Sequence, residues 1–188
     1  VYDSVFTKNR AHQGGAAALE GHLASMTVTN ASFTFNEAVL GGHGGAIASE
    51  GRAGFILRGS RLVGNSADRG GAIACDDGEV WITQSHFERN AAIGDNGGAL
   101  YLFKSVSWID DVLLANNSAN NDGGGISLSA SELHVVGSHF LQNQAARNGG
   151  HIDGVSSLLN VHGAREVVEM RSRRSNFCLD GLLGGRYT

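Results

Sequence analysis

Three carboxylates recur at the same offset from a Gly-Gly pair. Glu20, Glu50 and Asp76 each lie six residues after the first glycine of such a pair. If successive repeats stack, these side chains lie about 5 Å apart, and hard cations such as calcium take oxygen ligands of this kind. The column is therefore a candidate calcium site. The alternative is a solvated turn, because glycines follow closely at Gly21, Gly51 and Gly78.

Two pairs of adjacent aspartates could act as general acids and bases on a polysaccharide. They are Asp76-Asp77 and Asp110-Asp111. The two pairs fall at different points of the repeat described below, so we expect them not to converge. Lysine is scarce, with Lys8 and Lys104 only, which disfavours a lyase. No catalytic residue is assigned.

Histidine and cysteine do not form a predicted site either. His86 and His139 fall in one outward column but two repeats apart, about 10 Å, which is too far for one shared metal ion. Cys75 is expected to face inward and Cys178 outward, so both are predicted to be free thiols. No metal site is assigned to these residues.

These positions belong to a repeat that dominates the sequence. The 188 residues include 28 glycines and no proline, and the Gly-Gly pairs are followed by a small and then an apolar residue. The steps between six successive pairs are 30, 26, 27, 26 and 26 residues, a period that indicates a solenoid. The pairs begin at Gly14, Gly44, Gly70, Gly97, Gly123 and Gly149, with a degenerate seventh at Gly184.

A second motif precedes each pair: an apolar residue followed three positions later by asparagine. Stacked asparagines can hydrogen-bond to one another through their side-chain amides. We therefore expect a structural ladder at a turn rather than a ligand site. Its predicted members are Asn9, Asn36, Asn65, Asn90, Asn116 and Asn143, with Asn116 taken from the copy that begins at Leu113.

The stretch before each apolar-x-x-Asn motif alternates between apolar and polar residues. Its predicted inward positions include Val28, Leu57, Ile82, Trp108 and Val135. A period of two is typical of a strand with one buried face. The sequence therefore predicts an all-β fold, a right-handed parallel β-helix of six to seven coils of about 26 residues, with the handedness taken from the usual crossover preference. The absence of proline leaves every backbone N–H free to donate to the next coil.

The repeat spacing predicts three regions. Residues 1–154 are expected to form the β-helix coils, residues 155–174 an irregular insertion or short helix, and residues 175–188 a degenerate last coil. An insertion is favoured because it returns Met170, Ser175 and Phe177 to the positions that the repeat predicts.

The paired Phe-x-x-Asn and Gly-Gly-Ala-(Ile/Leu/Val) motifs resemble those of the polymorphic outer membrane proteins of chlamydiae. The resemblance covers residues 4–154, with a degenerate tail at 175–187. The chain departs from the pattern where leucine replaces phenylalanine in two copies and where His151 replaces alanine. Members of that family are autotransporter passengers that act as surface adhesins. The resemblance thus implies an extracellular or cell-surface module whose partner is a cell-surface protein or glycan.

Charge and hydropathy narrow the function further. The net charge of −4 and the lack of a basic stripe disfavour nucleic acid as a partner, and no apolar run is long enough for a membrane span. The chain starts at Val1 without a visible signal peptide, so we expect a piece of a longer protein. Two functions remain: a non-enzymatic adhesin or passenger segment, or a polysaccharide lyase or glycoside hydrolase of the β-helix type. No cofactor is expected apart from calcium.

Overall fold

The chain winds into a parallel β-helix. The computed structural model describes residues 1–22, 24–165, 169–173, 176–180 and 186–187. About six coils of about 26 residues stack along one axis, each passing in turn through four parallel sheets, here called sheets I to IV. The described residues contain no helix. The predicted all-β solenoid is confirmed.

Sheets I and II hold the shorter strands. Sheet I comprises β1 (Val5–Thr7), β5 (Ser32–Thr34), β9 (Arg61–Val63), β13 (His86–Glu88), β17 (Leu113–Ala115) and β21 (His139–Leu141). Sheet II comprises β2 (Arg10–Ala11), β6 (Glu37–Ala38), β10 (Ser66–Ala67), β14 (Ala91–Ala92), β18 (Ser118–Ala119) and β22 (Gln144–Ala145).

Sheets III and IV hold the longer strands. Sheet III comprises β3 (Ala17–Glu20), β7 (Ile47–Glu50), β11 (Ile73–Asp76), β15 (Leu100–Phe103), β19 (Ile126–Ser129), β23 (Ile152–Val155), β25 (Glu169–Arg173) and β27 (Arg186–Tyr187). Sheet IV comprises β4 (Ser25–Thr29), β8 (Gly54–Arg58), β12 (Glu79–Thr83), β16 (Val106–Asp110), β20 (Glu132–Val136), β24 (Leu158–His162) and β26 (Asn176–Asp180).

Equivalent positions of successive coils lie directly above one another. In sheet I, Phe87 pairs with Leu62 on one side and Leu114 on the other. The buried columns of sheets I, III and IV form one continuous core. Its largest fully buried side chains are Phe33, Phe87, Phe140, Ile47, Leu57, Leu62, Ile73, Ile82, Leu100, Leu102, Ile109 and Leu114.

Left-handed backbone conformations recur at the same turns of each coil. The turn between sheets I and II has a positive φ at Lys8, Phe35, Gly64, Arg89, Asn116 and Gln142. The turn between sheets III and IV has one at Arg52, Asp77, Lys104, Ala130 and Ser156. A left-handed residue at these turns lets the chain change direction sharply between one strand and the next.

The Gly-Gly pair forms the corner before sheet III. Gly70 has a φ of 62°, a conformation that glycine adopts without a steric penalty. A Cβ on Gly71 would overlap the carbonyl oxygen of Gly98 in the next coil. The first glycine of the pair is therefore required by conformation and the second by the close approach of neighbouring coils.

The structure corrects the predicted alignment of one strand. In β16 the inward residues are Ser107 and Ile109, which align with Val80 and Ile82, whereas Trp108 faces outward. The doublets Leu113-Leu114 and Asn116-Asn117 each fit the apolar-x-x-Asn motif in two ways. The prediction counts back from Leu113 and Asn116, whereas the fold uses Leu114 and Asn117. The predicted inward strand positions and the predicted ladder residue of this coil are therefore each one residue too early.

The coils continue past residue 154. β24 pairs with β20 over its whole length and β25 pairs with β23, so these segments are regular strands rather than an irregular insertion or helix. Phe177 aligns with Leu159 in sheet IV, and Met170 aligns with Ile152 in sheet III, which differs from the predicted alignment. Ser175 and the degenerate Gly-Gly pair at Gly184 lie outside the described residues.

Candidate functional site

The asparagine column is a hydrogen-bonded ladder. The side-chain oxygen of Asn90 accepts from the backbone N–H of Asn65 at 3.0 Å and from its amide at 2.9 Å. The Asn90 amide in turn donates to the Leu62 carbonyl at 2.9 Å and to the side-chain oxygen of Asn117 at 3.0 Å. Every polar atom of this buried side chain is bonded within the solenoid, so none is available for a ligand.

The structure corrects one predicted member of this ladder. Asn117, not Asn116, bonds to Asn90 and to Asn143. Asn116 is exposed and holds the left-handed turn position with a φ of 54°. Asparagine tolerates that conformation better than most side chains, which explains why two asparagines occur together here with different tasks. The other ladder members are Asn9, Asn36, Asn65, Asn90 and Asn143.

The carboxylates proposed to bind calcium lie in one column. Glu20 aligns with Glu50, which aligns with Asp76, at the end of sheet III. In the part of the chain that the structure describes, no three acidic, histidine or cysteine side chains converge closely enough to hold a metal ion. Calcium binding by this column stays a prediction, tested by comparing the melting temperature in calcium with that in a chelator.

The two aspartate pairs lie at opposite ends of the strands of sheet IV. Asp76 is the last residue of β11, just before the chain enters sheet IV, whereas Asp110 is the last residue of β16 and aligns with Thr83 where the chain leaves that sheet. A five-residue strand separates its two ends by about 13 Å. Carboxylate pairs in glycoside hydrolases are about 5 to 9.5 Å apart, so these aspartates do not form such a pair.

The structure also shows where the histidines and cysteines considered above lie. Leu113 lies between His86 and His139 in sheet I, which places the two histidines two coils apart. Cys75 is buried and Cys178 exposed, and both are free thiols. Burial raises the pKa of the Cys75 thiol above its ordinary value, so this sulfur is a core group rather than a nucleophile.

A column of planar side chains runs along the outer face of sheet IV. The rings of Trp81 and Trp108 stack with centroids 3.9 Å apart and planes 10° apart. His134 continues the stack, 5.6 Å from Trp108 and 7° from parallel. Its Nε2 is 2.7 Å from Glu132 Oε1, which can only accept, and the Asn160 amide is 3.3 Å from its Nδ1. These contacts restrain the orientation of the imidazole ring in the stack.

Exposed apolar side chains also lie on the outer face of sheet IV. Four large apolar side chains of sheet IV are more than a third exposed: Ile56 at 39%, Trp81 at 41%, Val136 at 45% and Leu158 at 37%. The sequence prediction missed this face because the displaced alignment placed Trp108 inside. Alignment from Asn117 places each tryptophan one residue before a buried isoleucine, Ile82 or Ile109, and so facing outward.

A groove crosses sheet IV beside this column. Gly54 aligns with Ser25 and Glu79, and its lack of a side chain leaves a notch in the outer face. One cavity of about 420 Å³ extends from the notch towards the turns between sheets III and IV, which carry Arg52 in one coil and Asp77 in the next. A second, of about 260 Å³, extends from the notch towards Trp81. Ser25, Gly54 and Glu79 line both, so the two cavities adjoin.

A polar cluster lies on a different part of the surface, before sheet III. Arg69 Nε bonds to Asp95 Oδ2 at 2.7 Å, and its guanidinium carbon lies 5.6 Å from the centre of the Tyr101 ring. Burial, reinforced by the charge of Arg69, lowers the pKa of His43, and burial raises that of Tyr101. At neutral pH both side chains are therefore uncharged, and the cluster holds the adjoining turns together.

Both repeat motifs occur between the turn residue Asp111 and the end of β19, in the alignment that the structure shows. The first motif consists of Leu114 and Asn117, and the second of Gly123-Gly124-Gly125 followed by Ile126. Residues 111–129 match the Chlamydia polymorphic membrane protein repeat. With the stacked coils, this match supports the resemblance to the polymorphic membrane protein repeat family. No curated protein and no solved structure matches the chain.

The repeat family suggests a surface adhesin-like β-helix module with an outer-membrane or surface location, as part of a longer protein. Within the described residues, no helix has the length and apolar character needed to cross a membrane.

Proposed function

We propose that this chain is a non-enzymatic segment of an extracellular adhesin or autotransporter passenger, and that it binds a cell-surface protein or glycan. The observation that carries the proposal is the set of exposed apolar and aromatic side chains on the outer face of sheet IV, among them Ile56, Trp81 and Val136. Exposed apolar groups that cluster on one face of a soluble domain mark interaction sites more often than scattered ones do. The match to a surface-protein repeat is the second support.

A β-helix is well suited to such binding because its lateral face is rigid before the ligand arrives. Each interior strand of sheet IV is bonded on both sides, as β12 is to β8 and β16. The stacked rings of Trp81 and Trp108 restrict one another further. A preformed face loses little conformational freedom on binding, and this favours affinity.

A polysaccharide lyase or glycoside hydrolase was the alternative. Such an enzyme requires carboxylates that meet across a substrate, whereas Asp76 and Asp110 lie at opposite ends of the strands of sheet IV. The carboxylates near the groove are Asp77 and Glu79. Arg52 forms an ion pair with Asp77 at 3.6 Å.

The test is adherence of beads that carry the purified 188-residue chain to cultured epithelial cells. We expect adherence above that of albumin-coated beads, and competition by soluble chain. Equal adherence of the two kinds of bead would overturn the proposal. So would cleavage of a polysaccharide by the chain that is lost in Asp77→Asn or Glu79→Gln, because the protein would then be an enzyme.

A further inference from the structure

We propose that the groove at Gly54 is a binding site for a neutral oligosaccharide, with one sugar ring packed against Trp81. The inference rests on the proposed function and deepens it, since it names the site and the ligand class. The groove combines two features of a small-ligand site: an aromatic wall at Trp81 in the cavity of about 260 Å³, and convergent polar groups in the adjoining cavity of about 420 Å³.

The orientation of Trp81 is the first step. Trp108 stacks on one of its faces at 3.9 Å, in the direction of the solenoid axis. The opposite face is therefore turned towards the previous coil, where Ile56 and Gly54 line the same cavity. Ile56 is smaller than an indole and covers only part of this face, and Trp81 remains 41% exposed. A flat aromatic face bordering a notch is available to a flat partner.

The chemistry of that face selects a sugar. An aromatic ring is negative above its plane, so it attracts C–H groups that carry a partial positive charge. The axial C–H groups of a β-galactose or β-glucose ring form such a surface on one side of the ring. The hydroxyl groups of that ring point outward from its edge, towards the polar part of the groove.

The polar groups of the groove provide both donors and acceptors for hydroxyls. Glu79 and Asp77 can accept, while Arg52 and Lys104 can donate. Two carboxylates and two cations balance, and the Arg52–Asp77 pair at 3.6 Å neutralises part of this charge locally. A groove without a net charge gives no advantage to a sulfated or uronic acid chain, so the balance favours a neutral oligosaccharide.

The two tryptophans of the chain are Trp81 and Trp108, so intrinsic fluorescence reports directly on this site. The probe is a tetrasaccharide of N-acetyllactosamine, titrated into the full 188-residue chain, with a heparin tetrasaccharide and a polygalacturonate tetramer as charged comparators. We expect a saturable fluorescence change with the neutral probe and at least tenfold weaker binding of either charged one. Preferred binding of a charged probe would overturn the inference.

Two substitutions test the location by calorimetry. Trp81→Ile introduces the residue that the neighbouring coil has at this position, and Gly54→Val introduces that of the coil of Val106. Each is expected to weaken binding of the tetrasaccharide at least tenfold. The matched control is Phe35→Gln, which alters an exposed aromatic residue at the turn between sheets I and II and is expected to leave binding unchanged. Circular dichroism and the melting temperature establish that each variant folds.

Bead adherence measured in parallel separates the two proposals. If beads adhere to cells but the chain binds no tetrasaccharide, or binds it equally well as Trp81→Ile and Gly54→Val, the oligosaccharide site is wrong and the surface-module function stands. Adherence that survives enzymatic removal of cell-surface glycans, together with no binding of the tetrasaccharide, indicates a protein partner and overturns the site. If beads do not adhere at all, the function itself is wrong.

Discussion

At the scale of single residues, neighbouring asparagines in one turn have opposite roles. The oxygen of Asn117 accepts from the backbone and the side chain of Asn90, each at 3.0 Å, and its amide donates to the Phe87 carbonyl and to Asn143. Asn116, next to it, is exposed at a left-handed turn position. Identical side chains therefore contribute very differently to the free energy of unfolding.

We predict that Asn117→Ala lowers the free energy of unfolding by about 3 kcal/mol or more. The reason is that several buried donors and acceptors lose their partner, each at a cost of about 1–3 kcal/mol. The matched control is Asn116→Gly, which keeps a residue suited to a positive φ and should change stability by less than about 0.5 kcal/mol. Urea denaturation measures both. Equal losses in the two variants would contradict the alignment seen in β17.

For a substitution at Ser107 we expect a gain in stability rather than a loss. Its hydroxyl is fully buried in a column that Val80 and Leu133 otherwise fill, and it has no hydrogen-bond partner among the described residues. Ser107→Ala should therefore raise the free energy of unfolding by about 1 kcal/mol, because an unpaired buried polar group is removed.

The control for this substitution is Ser131→Ala. The Ser131 hydroxyl donates to the Ser129 carbonyl at 2.9 Å and accepts from the Ser105 N–H at 3.1 Å. Its removal should lower stability by about 1 kcal/mol. If both serine variants shift the urea midpoint in the same direction, hydrogen bonding does not account for the difference between them.

At the scale of strands and turns, the Gly-Gly corner has the strictest requirement. Gly71→Ala is expected to cost several kcal/mol or to prevent folding, because the new Cβ would overlap the Gly98 carbonyl in the next coil. Gly41→Ala is the control, since Gly41 has a φ of 77° but no atom within reach of a Cβ. That control should lose only about 1 kcal/mol. Circular dichroism and thermal melting distinguish the two, and equal melting temperatures would contradict the steric explanation.

The elements also show what the sequence could predict. The stacked β-helix coil follows from motifs that recur with a fixed spacing, so the fold class and most ladder positions could be assigned without coordinates. The alignment of β16 could not be assigned from the sequence, because the motif matches both Leu113 with Asn116 and Leu114 with Asn117. Packing decides between the choices, since the fold places Leu114 rather than Leu113 between Phe87 and Phe140.

The groove was beyond prediction for a related reason. It depends on a missing side chain at Gly54 and on the outward direction of Trp81 one coil later. Neither is a motif, and a glycine outside the Gly-Gly pairs gives no signal of its own in a glycine-rich chain. Such a site becomes visible only when strands from different coils are aligned side by side.

At the scale of the whole molecule, stability is the sum of contacts between neighbouring coils, so a local charge change affects the entire solenoid. Burial and the nearby charge of Arg69 lower the pKa of His43 below its ordinary value of 6.5, and the opposing carboxylates of Glu50, Asp68 and Asp76 raise it less. Burial, with the charge of Arg61, also lowers the pKa of His86, against the opposing charge of Glu88. Both histidines are therefore held neutral by the fold.

We predict that the solenoid becomes less stable as the pH falls through about 6.5 towards the folded-state pKa values of these histidines. The unfolded chain binds protons more readily than the folded one in this window, so acidification favours unfolding, whereas stability from this source is complete above the unfolded-state pKa. Urea midpoints measured between about pH 7.5 and pH 5.5 test this. The double variant His43→Gln/His86→Gln should show a smaller decrease than the natural chain, because its glutamines do not titrate. Parallel pH profiles for the two chains would show that other groups control the acid sensitivity of the solenoid.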